Sequence, residues 1–254
     1  SMKKMLRNPS VGIFEGVPEK VSKVTLSLTG VRVKTLSLLF VSMASALAYW
    51  WLLKINTVGD SIRNGVGFGI FIAPLGMFFL YRFICKNEVN AKFLGVPYAV
   101  CLGALYGSIS MIAERGTPGI VVQAFLTSAG TFLGLLLSYK VRLLRATPQF
   151  MQAISGFLSI ILSIICLNSL LSIGNPYWPP HFTDAQKYFI FLFFNIAMIV
   201  LPALTFILDF DSVEEGARLG HSKDLEWYAA TSILTGLVWI YLAFLFLIAR
   251  LSGR

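Results

Sequence analysis

From residue 35 onward the chain alternates long apolar runs with short polar segments. Seven runs stand out, at 35–53, 65–85, 94–112, 118–139, 151–173, 189–208 and 228–248. Each is close to the roughly 20 residues that carry a helix across a bilayer. The expected fold is therefore an all-α membrane protein with seven transmembrane helices, residues 35–254, preceded by a basic tail at 1–34. That tail shows no helical period sustained for long, is expected to be cytoplasmic with room for a surface helix at its end, and is followed by a run long enough to span, so the first span is expected to act as the insertion signal.

Within the runs, small residues recur at four-residue spacing. Gly65 and Gly69, Gly103 and Gly107, and Gly130 and Gly134 form GxxxG pairs, and Gly95 with Ala99 extends the small face of the third span. Such faces let helix backbones approach closely, so spans two to four are expected to pack as a compact bundle. Pro74, Pro97 and Pro202 lie inside runs and are expected to start or bend helices, freeing carbonyls.

Composition agrees with the pattern. Hydrophobic residues make up 56% of the 254 and charged residues 13%, and the mean hydropathy is +0.75, far from soluble averages. A net charge of +9 would suggest nucleic acid in a soluble domain. Here the Lys and Arg sit between the apolar runs, which is a membrane-orientation pattern, and nucleic-acid binding is set aside. Counting alternately puts fifteen of the 21 Lys and Arg on the side of the amino terminus. That side is expected to be cytoplasmic and the carboxyl terminus external. Cys85, Cys101 and Cys166 lack paired spacing, so neither a disulfide framework nor a zinc site is indicated.

The candidate chemistry lies in FILDFDSVEEGARLGHSKDLEWY, residues 206–228. Asp209, Asp211, Glu214, Glu215, Asp224 and Glu226 are half of the chain's 12 acids. An ionised carboxylate in hydrocarbon costs several kcal/mol, so acids at a membrane edge are either solvated loop residues or part of a route for protons or cations. Residues seven apart share a helix face, which aligns Asn195, Pro202 and Asp209 along the sixth span. Asp211 points roughly 200° away from Asp209. Asp209 is thus the acid expected to face the bundle and to contact a cation. DFDSVEEG is not an EF-hand loop, because Val213 occupies the fifth position. No resident metal or cofactor is expected. An enzyme is not expected either: no opposed acid pair is apparent, and His181 and His221, the only histidines, fall in loops on opposite sides.

Several stretches, in order, carry a resemblance: LTGVRVKT at 28–35, YAVCLGALYGSIS at 98–110, PGIVVQAFLTSAGTF at 118–132, LDFDSVEEG at 208–216 and LEWYAATSILTGLVWIYL at 225–242. Together they resemble the Bax inhibitor-1 family, in its bacterial YccA-like branch. The resemblance implies a seven-helix bundle with the last helix enclosed by the other six, in a bacterial inner membrane. It also implies the role of a pH-sensitive calcium leak channel, with Ca2+ as permeant ion; some eukaryotic relatives are suppressors of cell death.

The family's acid in the sixth span falls on Asp209, followed four positions on by Val213. Its partner acid in the last span falls on Ala243, and an acid of the third span falls on Leu102. The two-carboxylate latch is incomplete here. Asp209 is then expected to pair with Arg82 or Arg218, or to share a cluster with Asp211 and Glu226. The competing expectation is a non-conducting regulator that binds other membrane proteins besides the lipid bilayer; the oligomeric state is left open.

Overall fold

The computed structural model describes residues 25–55, 65–87, 90–141 and 184–252, with scattered residues between 147 and 163. The expected fifth span, 151–173, and residues 1–24 fall outside the described residues or largely so. Six helical elements are numbered in chain order: α1 Leu28–Ile55, α2 Ala73–Lys86, α3 Ala91–Gly116, α4 Ile120–Lys140, α5 Asp184–Arg218 and α6 Leu225–Ser252. A π-helical turn, Phe68–Ile72, leads into α2. Pro74 explains it: the ring lacks an N–H and crowds the carbonyl four residues back, so the ladder widens. Ala73 N–H accordingly donates to Phe68 O, five residues back.

Six spans are long and apolar enough to cross a membrane among the described residues. Their outward faces are apolar too: Phe40, Phe71, Phe93 and Leu126 are among the most exposed side chains. In water such a surface would be a severe liability; against lipid it is the expected solvent-facing side.

The glycine pairs set the closest crossings. A Cβ on Gly103 would fall on the Ser42 carbonyl, and one on Gly107 would lie 3.0 Å from the Ala46 carbonyl. These contacts bring α1 and α3 together side by side and parallel. Gly69 meets Ser108 of α3, and Gly95 lies against Leu38 of α1 and Thr231 of α6. Gly130 and Gly134 differ: no described residue approaches them.

Matching contacts give the directions. Tyr98 pairs with Thr235 and Ser110 with Tyr241, so α3 and α6 run parallel. Phe132 meets Phe206 and Phe210, and Tyr139 meets Phe210, so α4 and α5 run parallel as well. The carboxyl end of α4 and the amino end of α5 therefore stand at opposite ends of the bundle. Helix α6 packs against α1, α3, α4 and α5, with Leu234, Ile240 and Leu245 fully buried.

One end of the bundle gathers Arg32 and Lys34 of α1, Arg82 and Lys86 of α2, Lys92 of α3, Lys140 of α4 and Arg218 of α5. The opposite end has Lys54, Arg115 and Arg250. We call the first the basic end. At the other end, Gly119 takes a positive φ of 84° at the start of α4. The Glu114 carboxylate accepts from the N–H groups of Gly119, at 2.7 Å, and Val121, at 3.2 Å. An acid here satisfies donors that a helix start leaves open.

Two element boundaries depart from the sequence reading. Helix α1 starts at Leu28, seven residues before the apolar run, and Leu26 and Val31 are buried. Helix α5 runs ten residues past the expected end at 208. Nothing in 209–215 interrupts a helix, and the chain turns only at Gly220, whose φ of 71° suits the left-handed position after a helix end.

Candidate functional site

The continuation of α5 decides what the acids do. At 35 residues the helix is about 52 Å long, against a hydrocarbon thickness of about 30 Å. Its acidic last turns, with Asp209, Asp211, Glu214 and Glu215, lie at the basic end. There the carboxylates stand on a rigid rod, each aimed by its angular position, instead of moving in a loop.

Asp209 faces α6. Its Oδ1 accepts a hydrogen bond from the Ser232 hydroxyl at 3.2 Å, and the side chain is half-buried. One turn deeper, Phe206 is fully buried and its ring lies over Gly236 of α6. Phe132 of α4 meets it edge-on at 5.1 Å, and Phe210 stacks on it at 6.0 Å. The carboxylate thus sits in the α5–α6 seam with an aromatic layer behind it.

The neighbouring acids go elsewhere. Glu214 accepts from the Tyr139 hydroxyl of α4 at 2.6 Å. Glu215 takes both Nε and Nη2 of Arg218 on its own helix, at 2.8 and 2.5 Å. Asp211 is half-buried on α5. The expected pairing of Asp209 with Arg218 is not formed, because Arg218 is three residues from Glu215 and grips it bidentately. Arg82 is exposed on α2, which packs on α3 and not on the α5–α6 seam. Asn195 is buried on α5 two turns beyond Pro202.

Glu226 does not join Asp209 in an acidic cluster. It is fully buried at the start of α6 and faces α1. One carboxylate oxygen accepts from the Ser27 N–H at 2.8 Å and the Ser27 hydroxyl at 3.0 Å. The other accepts from Lys34 Nζ at 2.7 Å. Lys34 in turn lies 5.2 Å from the centre of the Trp227 ring. Six positions separate Glu226 from Ser232, which turns the two roughly 120° apart around α6.

Ser27, Gly30, Lys34 and Ser232 were not singled out by sequence reasoning. For Ser27 there was a trace: Ser-x-x-Gly precedes the first span, a helix start whose usual Glu at the fourth position is missing. Ser232 carried no such signal, being one of many hydroxyls in apolar runs.

Ala243 lies eleven residues beyond Ser232 on α6, about 16 Å further along the axis. It is buried. An acid at 243 would not reach Asp209, so the position carried over for the second latch acid and the Asp209–Ser232 contact occupy different levels of the bundle.

A basic end, six lipid-compatible spans among the described residues and a carboxylate set into a helix seam define a multi-pass helical membrane protein. The chain belongs to the Bax inhibitor 1 like family, whose model matches residues 7–253. Neither a curated protein nor a solved structure matches it.

Proposed function

We propose that this protein is a calcium-permeable, pH-influenced cation leak in a bacterial inner membrane, of the YccA-like branch, with its basic end in the cytoplasm. The observation that carries the reading is the Asp209 carboxylate, held in the α5–α6 seam at the membrane edge by a neutral hydroxyl, Ser232. An ionisable group there is costly unless it serves a route for ions or protons. A carboxylate facing a hydroxyl offers a cation oxygen ligands of the type calcium prefers. The role is one of passage, not catalysis, with Ca2+ as cargo and no resident cofactor.

The test is calcium flux into proteoliposomes at neutral and mildly acidic pH, for the unchanged protein and Asp209→Asn. Flux that falls about tenfold or more in Asp209→Asn, and in the unchanged protein at acidic pH, supports the leak; the drop corresponds to losing one charged contact with the ion. Flux insensitive to Asp209 overturns the assignment. One observation favours a second reading, a non-conducting regulator of other membrane proteins: Leu102 and Ala243, at positions carried over from family acids, are both buried and apolar. A folded, inserted protein without flux points to that reading.

A further inference from the structure

We propose that Thr25–Lys34 is a strap closed over the basic end of the α5–α6 seam, with Glu226 as its catch, so that the strap controls access to Asp209. The proposal rests on the reading of Asp209 as a residue of the ion route. Along the seam, Phe206 over Gly236 is the deepest of three layers, and Asp209 with Ser232 the next. The outermost comprises Val213, Leu225 and Ala229, and Leu26 and Val31 of the strap belong to the same buried apolar cluster. Val213 is one turn beyond Asp209, and Ala229 is just under one turn before Ser232. Along the seam Asp209 therefore lies between the aromatic layer on the membrane side and, on the aqueous side, the layer that the strap joins.

The strap is fastened at two places. Thr25 pairs with Ser222 in an antiparallel bridge, and Leu26 N–H donates to His221 O at 2.7 Å. The second fastening is the Glu226 carboxylate on Ser27 and Lys34.

The chemistry of that catch indicates a part that opens. Ser27 caps α1, its hydroxyl oxygen accepting from Gly30 N–H at 3.0 Å. In the usual capping box, an acid at Gly30's position would reach back to the Ser27 N–H and complete the cap within one turn. Here that position has no side chain, and a Cβ on Gly30 would collide with the Glu226 carboxylate. The acid is supplied from 199 residues away. A complete local cap would hold α1 whether or not the strap were docked; here the Ser27–Gly30 half is local, and the half that satisfies the Ser27 N–H exists only when the strap is docked. Released at the membrane edge, Ser27, Lys34 and Glu226 all find water, so both states satisfy their polar groups. That is the requirement for a two-state element.

The test uses full-length protein in inverted vesicles with Cys85, Cys101 and Cys166 replaced by Ala, and Ser232→Cys added. Labelling of the new thiol by a membrane-impermeant maleimide is compared with and without Glu226→Ala. The expected result is labelling about tenfold faster in Glu226→Ala, the population shift expected for losing a helix cap. Gly30→Ala, which pushes the carboxylate out, gives the same result if Glu226→Ala does not fold. Separately, Thr25→Cys with Ser222→Cys, oxidised, should hold calcium flux low until a reductant is added. Rapid labelling of unmodified strap protein, or equal labelling in both, overturns the strap. Faster labelling without flux in any variant supports the strap and overturns the leak. Flux with unchanged labelling does the reverse.

Discussion

The Phe206 ring occupies the notch that Gly236 leaves in α6: a Cβ at 236 would stand 2.9 Å from the ring edge. Phe206 also joins Phe132 and Phe210, so α4, α5 and α6 converge on one aromatic side chain. Gly236→Ala must displace that ring. It is expected to destabilise the protein by about 1–3 kcal/mol, as overpacking does. Phe206→Ala leaves a cavity instead and should cost about 3–5 kcal/mol. Thermal unfolding in detergent checks both.

Glycines elsewhere should separate by what faces them. Gly103→Ala drives a methyl into the Ser42 carbonyl, which is backbone and cannot swing aside. A loss of about 1–3 kcal/mol is expected, with α1 pushed off α3. Gly67 has nothing within 4 Å among the described residues, so Gly67→Ala should be neutral or stabilise by about 0.5–1 kcal/mol through helix propensity. Parallel melts of the two variants decide it; equal losses would mean the close approach of α1 and α3 is not what holds them.

At the catch, charge and hydrogen bonding can be told apart. Glu226→Gln keeps an acceptor for Ser27 but loses the ion pair with Lys34. Glu226→Ala removes both. Breaking a buried pair from one side costs about 3–5 kcal/mol, largely from the stranded partner. Lys34 is 16% exposed and can reach water, so the lower part of that range is expected for Glu226→Ala, with Glu226→Gln smaller still. Adding Lys34→Met to Glu226→Ala should cost less than the two single changes together, and a double-mutant cycle measures the difference.

Ala243→Asp distinguishes two ideas of the last helix. If 243 were opposite Asp209, the new acid would rebuild a pair and change how flux depends on pH. The eleven-residue offset from Ser232 makes that geometry unattainable. The expected outcome is a destabilisation of about 2.5–3.5 kcal/mol for a carboxylate placed at membrane depth, without a new pH dependence. Melting curves and flux at two pH values read the two effects separately.

The apolar runs marked the six helices among the described residues, because span length and lipid contact follow from local composition alone, but not the early start of α1 or the ten-residue extension of α5. Basic residues fixed which helix ends cluster together, since their cost of crossing is likewise a property of each segment. The acids of 206–228 were visible as the unusual stretch, and the face of Asp209 followed from helical spacing. What each acid touches was decided only by tertiary structure. Glu226 reads as one more edge carboxylate until α1 and α6 lie parallel, when it meets a serine 199 positions away across a glycine with no side chain to obstruct it. Pairings of this kind depend on the rotation and level of two helices relative to each other. Those are set by Gly103 against Ser42 and by Phe206 against Gly236, contacts that no single segment encodes.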